Sequence, residues 1–406
     1  MTEARPDLDL DEMVAELRPE FVGRLTAEGK LNAPEWRAAV EGVPRHECTP
    51  RFYVPSDAPG ITTYVPFTRE LVGTEPWLRR VYSDETLITQ FDGRDLDWSD
   101  PQPIRGATPT SSSTMPSLVV QMLDALNADD GTTVTEYGTG TGYSTALMCH
   151  RLGAANVTSV ETDPGVTARA RDALDRCGYA PRLVVGNGLT GADRRVPAER
   201  TIATMGVRGI PWAWVRETEP GGLIVATLRG WLRSLGLVRL TVEDGRHATG
   251  RFIAADPAFM MARQQEAPRN FGMLPGDDAG KVRETPHGPG LLRMPDSGFV
   301  AQLAMPNART FDMTADDGTV QTYVLDAAND SFAVLSRDGA GTGWKVREGG
   351  PVSLWAEVEH FLALWHAAGS PAATAFGMSV EPDCQRVWLD DPEDGPSWRL
   401  PVMPGA

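Results

Sequence analysis

The segment Val134-Thr-Glu-Tyr-Gly-Thr-Gly-Thr-Gly-Tyr143 constrains this chain more than any other stretch. A short β-forming run, Thr132 to Tyr137, empties into glycines at alternate positions, Gly138, Gly140 and Gly142. A helix-like run from Tyr143 to Leu152 follows and stops at Gly153. Glycine permits backbone angles closed to other residues and lets the main chain lie against a ligand with no Cβ between them. The helix then points its free N–H groups at the same place. Strand, glycine turn and helix in that order suit a nucleotide-like ligand; the plainer reading is a tight structural turn.

Spacing separates two ligand classes. A dinucleotide site shows G-x-G-x-x-G, whereas G-x-G-x-G is usual for S-adenosylmethionine (SAM) enzymes, whose ligand carries no pyrophosphate. A second strand, Asn156 to Val160, ends at Glu161, which lies 161 − 138 = 23 residues past the first glycine. That is near the offset of about 20 expected for an acid that takes ribose hydroxyls. Asp163-Pro164 then starts another helix, with Asp163 at the N-cap and proline in the first turn.

Composition narrows the function classes. At 406 residues and 44.0 kDa the chain has room for two or more domains. Its 55 acids against 38 bases give a net charge of −17, which argues against a nucleic-acid partner. No apolar run approaches membrane-spanning length, and the N-terminus lacks an apolar signal core, so a cytoplasmic address is expected. Cys48, Cys149, Cys177 and Cys384 are scattered, with no metal-ligand spacing; they read as reduced thiols, and no metal site is expected.

Residues 8 to 42 carry a helical rhythm in Leu10, Met13, Val14, Leu17, Phe21 and Leu25. Prolines from Thr49 to Pro66 suggest an extended connection, residues 76 to 90 a short helix or turn, and residues 92 to 109 a flap. In Thr110-Ser-Ser-Ser-Thr-Met-Pro116 the hydroxyls ahead of a proline read as helix caps. Beyond Glu161 the α/β alternation continues: strands at Leu183 to Val185 and Thr201 to Val207, a helix at Trp212 to Glu219, and a turn at Pro220-Gly-Gly222 into a fifth strand. A closing hairpin surrounds Asp244-Gly245. Asn187, between two glycines at a strand end, has two readings: an adenine contact or an ordinary turn. Arg263 to Pro289 reads as a linker, and Phe299 to Val346 as antiparallel strands. Leu354 to Ala368 reads as a helix with Trp355, Val358, Phe361, Leu362 and Trp365 on one side.

These pieces together resemble the protein-L-isoaspartate O-methyltransferase family. The matching motifs, in order, are Val43-Pro-Arg-His46, Tyr82-Ser-Asp84, Ser112 to Pro116, Glu136 to Tyr143, Val160-Glu161, Gly186-Asn-Gly188 and Pro220-Gly-Gly222, covering roughly residues 8 to 262. The resemblance implies an α/β, Rossmann-like SAM-dependent sheet with helices on both faces and a reversed terminal hairpin. It divides the chain into an N-terminal helical segment and flap (1–109), a SAM-binding core (110–262), and a linker with a smaller α+β domain (263–406). The cofactor-binding roles fall on Gly138, Thr139, Gly140, Gly142, Tyr143, Glu161, Asn187 and Gly188. The family more often has aspartate at the position of Asn187. A hydroxyl two before the proline faces the methyl-accepting carboxylate; here it is Thr114, where the family usually has serine, helped by Ser113.

Departures shape the expected substrate. Free-standing repair enzymes of the family are about half as long and have a shorter loop at 91–109. The elements Gly350 to Trp355 and Gly369-Ser-Pro371 resemble actinobacterial homologues that accompany ribosomally made, modified peptides of the graspetide, lanthipeptide or lasso type. The resemblance implies a cytoplasmic, monomeric enzyme whose partner is a modified precursor peptide, with neither nucleic acid nor membrane involved. It would esterify a chosen aspartate, and the ester would collapse to an aspartimide. The competing expectations are isoaspartate repair and a catalytically idle peptide-binding scaffold.

Overall fold

The computed structural model describes residues 10–56, 61–232, 235–255, 257, 259–268, 274–314, 318–326, 328–337, 341 and 343–401. The chain divides into two compact units. The first comprises residues 1–205, 213–225 and 258–260; the second comprises 206–212, 226–257 and 261–406. This division cuts across the expected boundaries at 109 and 262. Residues 10–109 and 110–205 share one unit, and most of 226–257 packs with the C-terminal residues.

In the first unit, helices Leu10–Ala27 and Pro34–Gly42 form where the three- and four-residue rhythm placed them, burying Val14, Leu17, Phe21 and Leu25. The segment expected as an extended connection is instead a hairpin. Strands Arg51–Pro55 and Thr63–Thr68 pair antiparallel, with Phe52 opposite Phe67 and their rings stacked at 5.4 Å. Pro66 is tolerated because the outer neighbour, Ile104–Arg105, pairs only with Thr63 and Tyr64, so Pro66 lies on an open edge. A helix Thr74–Val81 follows, and then a strand, Leu87–Phe91, where only a helix or turn was expected.

The hydroxyl run also departs from expectation. Pro109–Ser113 is a strand paired with Leu87–Phe91, and helix Pro116–Ala125 starts on its proline with no side-chain cap from Met115. Cross-strand contacts outcompete capping here: Thr89 Oγ1 donates to Ser111 Oγ at 3.2 Å. This strand ends the five-stranded sheet ordered Ile104–Arg105, Thr63–Thr68, Arg51–Pro55, Leu87–Phe91, Pro109–Ser113.

Beside it lies the parallel α/β sheet. Val134–Tyr137 is flanked by Val157–Glu161 and Ala198–Val207, and Arg182–Val185 pairs outside Val157–Glu161. Strand order therefore reverses at Val134–Tyr137, the switch point where open α/β sheets bind ligands. Thr218–Arg229 follows as one strand that contains Pro220-Gly-Gly222, where Gly221 takes a left-handed φ of 79°. A Cβ at Gly222 would stand 2.6 Å from the Glu199 carbonyl, so a glycine lets the backbones approach within the strand.

The second unit carries antiparallel strands Leu235–Val242, Ala248–Ile253, Phe376–Glu381, Cys384–Leu389 and Ser397–Arg399, in that order. A separate five-stranded antiparallel sheet runs Lys281–Thr285, Trp344–Gly349, Ser331–Arg337, Val320–Asp326, Ala308–Thr314. Lys281–Thr285 falls inside the expected linker, and residues 269–273 of that linker lie outside the described residues. Phe299 belongs to helix Pro295–Ala304 rather than a strand, because Pro295 opens a helix whose Phe299, Val300 and Leu303 turn inward. Helix Leu354–Ala367 buries Trp355, Val358, Leu362 and Trp365. Among the described residues no helix is long and apolar enough to cross a membrane.

Candidate active site

The glycine loop takes the conformations that its composition allows. Gly138, Gly140 and Gly142 have φ of 103°, 53° and 83°. A Cβ at Gly138 would lie 2.8 Å from Thr204 Oγ1, which donates to the Gly138 carbonyl at 2.5 Å. A Cβ at Gly140 would meet the Ser112 carbonyl at 3.3 Å, so the hydroxyl strand runs directly beside the loop. Gly142 is the left-handed N-cap of helix Tyr143–Leu152, which ends at Gly153 as expected. Thr139 is buried and shares a 2.6 Å hydrogen bond with Ser159.

Glu161 stands at the end of its strand, half-buried, accepting from Gly140 N and from Asp163 N, each at 3.1 Å. The carboxylate is therefore held at the mouth of the loop. Asp163 caps its helix through Gly165 N and Val166 N, and Gln90 donates to its other oxygen at 2.9 Å. Gln90 in turn accepts from Thr110, which ties the hydroxyl strand to the helix start beside Glu161.

On the far side of the loop, Asn187 Oδ1 accepts from Leu189 N at 3.1 Å, so its oxygen serves the turn. Gly188 is buried, a Cβ there would press on the Tyr137 ring at 2.9 Å, and its carbonyl accepts from Trp214 Nε1 at 2.7 Å. Trp214 stacks on Tyr137 at 4.7 Å, and Tyr137 donates to Glu217. This chain of contacts fixes the Gly186–Gly188 turn.

The Ser111–Thr114 segment, expected to face the acceptor, runs beside the loop. Ser111 and Ser113 are buried, while Ser112 and Thr114 are half-buried, as strand alternation requires. Ser113 Oγ faces the Arg45 guanidinium at 3.5 Å, and the Thr114 carbonyl accepts from Arg45 at 3.2 Å. The Thr114 hydroxyl has no hydrogen-bond partner among the described residues.

Two buried charged groups lie within the quoted motifs, although neither had a role assigned from the sequence alone. Glu136 is fully buried under the loop, where it accepts from Ser144, Thr145 and Ser159. Burial pushes its carboxyl pKa up, against the downward pull of those hydroxyls. A lone acid inside an apolar strand was the available signal. Arg45 is likewise buried, and its pKa is lowered to about 10, chiefly by desolvation.

Comparison with known proteins places this geometry. Residues 80–240 match the family model for protein-L-isoaspartate(D-aspartate) O-methyltransferase. The enzyme of that name from Thermococcus onnurineus is 31% identical over 162 residues, covering 38% of this chain and 72% of its own. The one from Desulfosudis oleivorans is 34% identical over 181 residues, covering 44% and 75%. A solved protein-L-isoaspartate O-methyltransferase, 19% identical, aligns over 92% of this chain and 100% of its own with a TM-score of 0.52, which shows a shared fold. A counterpart to the second unit's fold thus occurs under that name, and length alone does not set this chain apart from isoaspartate enzymes. The chain belongs to the protein-L-isoaspartate O-methyltransferase family of SAM-dependent carboxyl methyltransferases.

Proposed function

We propose that this protein esterifies the side-chain carboxylate of an aspartate in a ribosomally made, cyclised peptide, and that the ester closes to an aspartimide. The observation that carries the acceptor assignment is the Thr114 hydroxyl, without a hydrogen-bond partner among the described residues, at the end of a strand whose Ser112 carbonyl lies against Gly140. The residues fit SAM: three positive-φ glycines leave a cradle that side chains would fill, and Glu161 waits at the offset for ribose hydroxyls. When bound, SAM would supply an electrophilic methyl group: a carboxylate oxygen would bond to the methyl carbon as the carbon–sulfur bond breaks, giving a methyl ester with S-adenosylhomocysteine as the leaving group. A carboxylate is ionised at neutral pH, so no residue need remove a proton. Thr114 donates a hydrogen bond that orients the acceptor, and Ser113 holds the Thr114 turn through Arg45. Orientation of this kind is worth up to about 7–11 kcal/mol. In the second step the next residue's amide nitrogen attacks the ester carbonyl; its proton leaves with methoxide as methanol, closing a five-membered imide.

Two further features support a shaped peptide substrate. The flap at 92–108 is anchored by Trp98 against Tyr53 and by Asp95 on Arg169 at 2.6 Å, near the helix start that follows Glu161. The second unit holds a cavity of about 660 Å³ lined by Leu292, Phe299, Phe311, Arg293 and Asp312, a size that suits a few peptide residues. A second reading, isoaspartate repair, is favoured by the relatives' names and by the full-length fold likeness. The deciding experiment offers a linear L-isoaspartyl peptide and an L-aspartyl macrocycle side by side, followed by mass spectrometry. The first reading expects the macrocycle to gain a methyl and then lose methanol. Turnover of the linear peptide alone establishes repair.

A further inference from the structure

Arg45 opens the one-turn helix Arg45–Cys48 and is fully buried. Its Nη1 donates to the carbonyls of Val81 (2.6 Å) and Ser83 (2.8 Å). Its Nη2 donates to the Glu85 carbonyl (3.0 Å), the Thr114 carbonyl (3.2 Å) and Ser113 Oγ (3.5 Å). The guanidinium also lies 5.6 Å from the ring centre of Tyr143, the first residue of the helix leaving the glycine loop. One side chain thus joins the turn after Val81, the acceptor turn and the cofactor-loop helix. Every oxygen it touches is neutral, and no carboxylate pairs with it among the described residues. Asp84, an acid whose field reaches Arg45, is engaged by Lys30 at 3.1 Å and by Ser117 N at 2.8 Å. Even lowered to about 10, the pKa leaves Arg45 charged at neutral pH. A buried cation without a counter-ion is costly, and a bound carboxylate is the group that would offset it.

We propose that Arg45 is a positioning residue for methyl transfer: it registers the Ser113–Thr114 turn against the cofactor loop, and its unpaired charge biases the acceptor position towards ionised carboxylates. This rests on the reading of Thr114 as the acceptor contact. The test compares wild type, Arg45→Lys and Arg45→Met as full-length chains. Calorimetry measures S-adenosylhomocysteine binding. NMR titration of the S-adenosylhomocysteine-loaded protein then compares N-acetyl-L-aspartate N-methylamide with its neutral asparagine counterpart. Wild type should prefer the carboxylate by about tenfold or more, and Arg45→Met should lose that preference while cofactor-product affinity stays within about fivefold. Arg45→Lys should keep the preference, and on whichever peptide is methylated its kcat should fall about tenfold with KM little changed. No preference in wild type, its survival in Arg45→Met, or unchanged kcat in Arg45→Lys overturns the proposal. Should Arg45→Met fail to fold, the wild-type titration and Arg45→Lys carry the test. If neither peptide is methylated, the functional reading and the positioning role in methyl transfer both fail, while loss of the wild-type carboxylate preference in Arg45→Met still assigns that preference to Arg45.

Discussion

Thr114 sits where a strand gives way to a helix, with its carbonyl accepting from Arg45 and its hydroxyl without a hydrogen-bond partner among the described residues; the proposed function gives that hydroxyl to the acceptor. A hydrogen bond to a charged acceptor contributes about 1.5–3 kcal/mol, so Thr114→Val should lower kcat/KM about 10–100-fold. Thr114→Ser should keep most of the rate, and both variants should bind S-adenosylhomocysteine like wild type in calorimetry. Equal rates in Thr114→Val and wild type would remove the hydroxyl from the chemistry. Glu136 makes a different prediction. Burial raises its folded pKa above the ordinary 4.5, so the native state keeps a proton that the unfolded chain releases. Between those two pKa values the native state binds more protons, and stability therefore falls as pH rises. Glu136→Gln, neutral throughout, should lack that decline. Urea unfolding at a series of pH values from about 4.5 upward would show the two curves diverging; parallel curves would mean that Glu136 is not the titrating group.

Elements differ in how far their cause lies from their residues. Helix Tyr143–Leu152 is bounded by Gly142 and Gly153, and helix Pro164–Arg176 by its own Asp163 and Pro164, so both were legible in the sequence. Pro109–Ser113 was not, because its strand partner Leu87–Phe91 is remote in sequence and hydroxyls before a proline suit a cap equally well. The flap between those strands has its own small core, in which Leu96, Trp98 and Ile104 pack on Tyr53, Ile88 and Phe91. Trp98 is half-buried, with its ring 5.2 Å from that of Tyr53 and under the Arg51 guanidinium. Trp98→Ala should cost about 1–3 kcal/mol, less than a full core truncation. Amide exchange should quicken across 92–108, and the acceptor KM should rise more than the affinity for S-adenosylhomocysteine falls. An unchanged KM would separate the flap from acceptor binding.

Taken together, the residues expected to hold cofactor and acceptor fall in the first unit: the glycine loop, Glu161, the Asn187 turn and Thr114 all lie between residues 112 and 190. A ligand that binds only the native state stabilises it by mass action, about 2.7 kcal/mol at a hundred times its dissociation constant. S-adenosylhomocysteine at that excess should raise the unfolding midpoint, with slowed amide exchange centred on 134–190 and little change across the strands from 281 to 349. Absence of any shift would argue for a scaffold that has lost its ligand. The net charge of −17 bears on partners and solubility and is silent on fold.

The sequence alone determined whatever depends on a few neighbouring residues. It contained the three glycines that accept positive φ, the Asp163-Pro164 helix start, the inward stripe of Trp355, Val358, Leu362 and Trp365, and the ordered motifs that mark the family. Tertiary structure decided the hairpin at 51–68, the helix around Phe299, the hydroxyl cage of Glu136 and the junction made by Arg45. The physical reason is shared. Each of those depends on competing conformations of similar local energy, and the choice is made by burial and by hydrogen-bond partners that only the folded chain assembles.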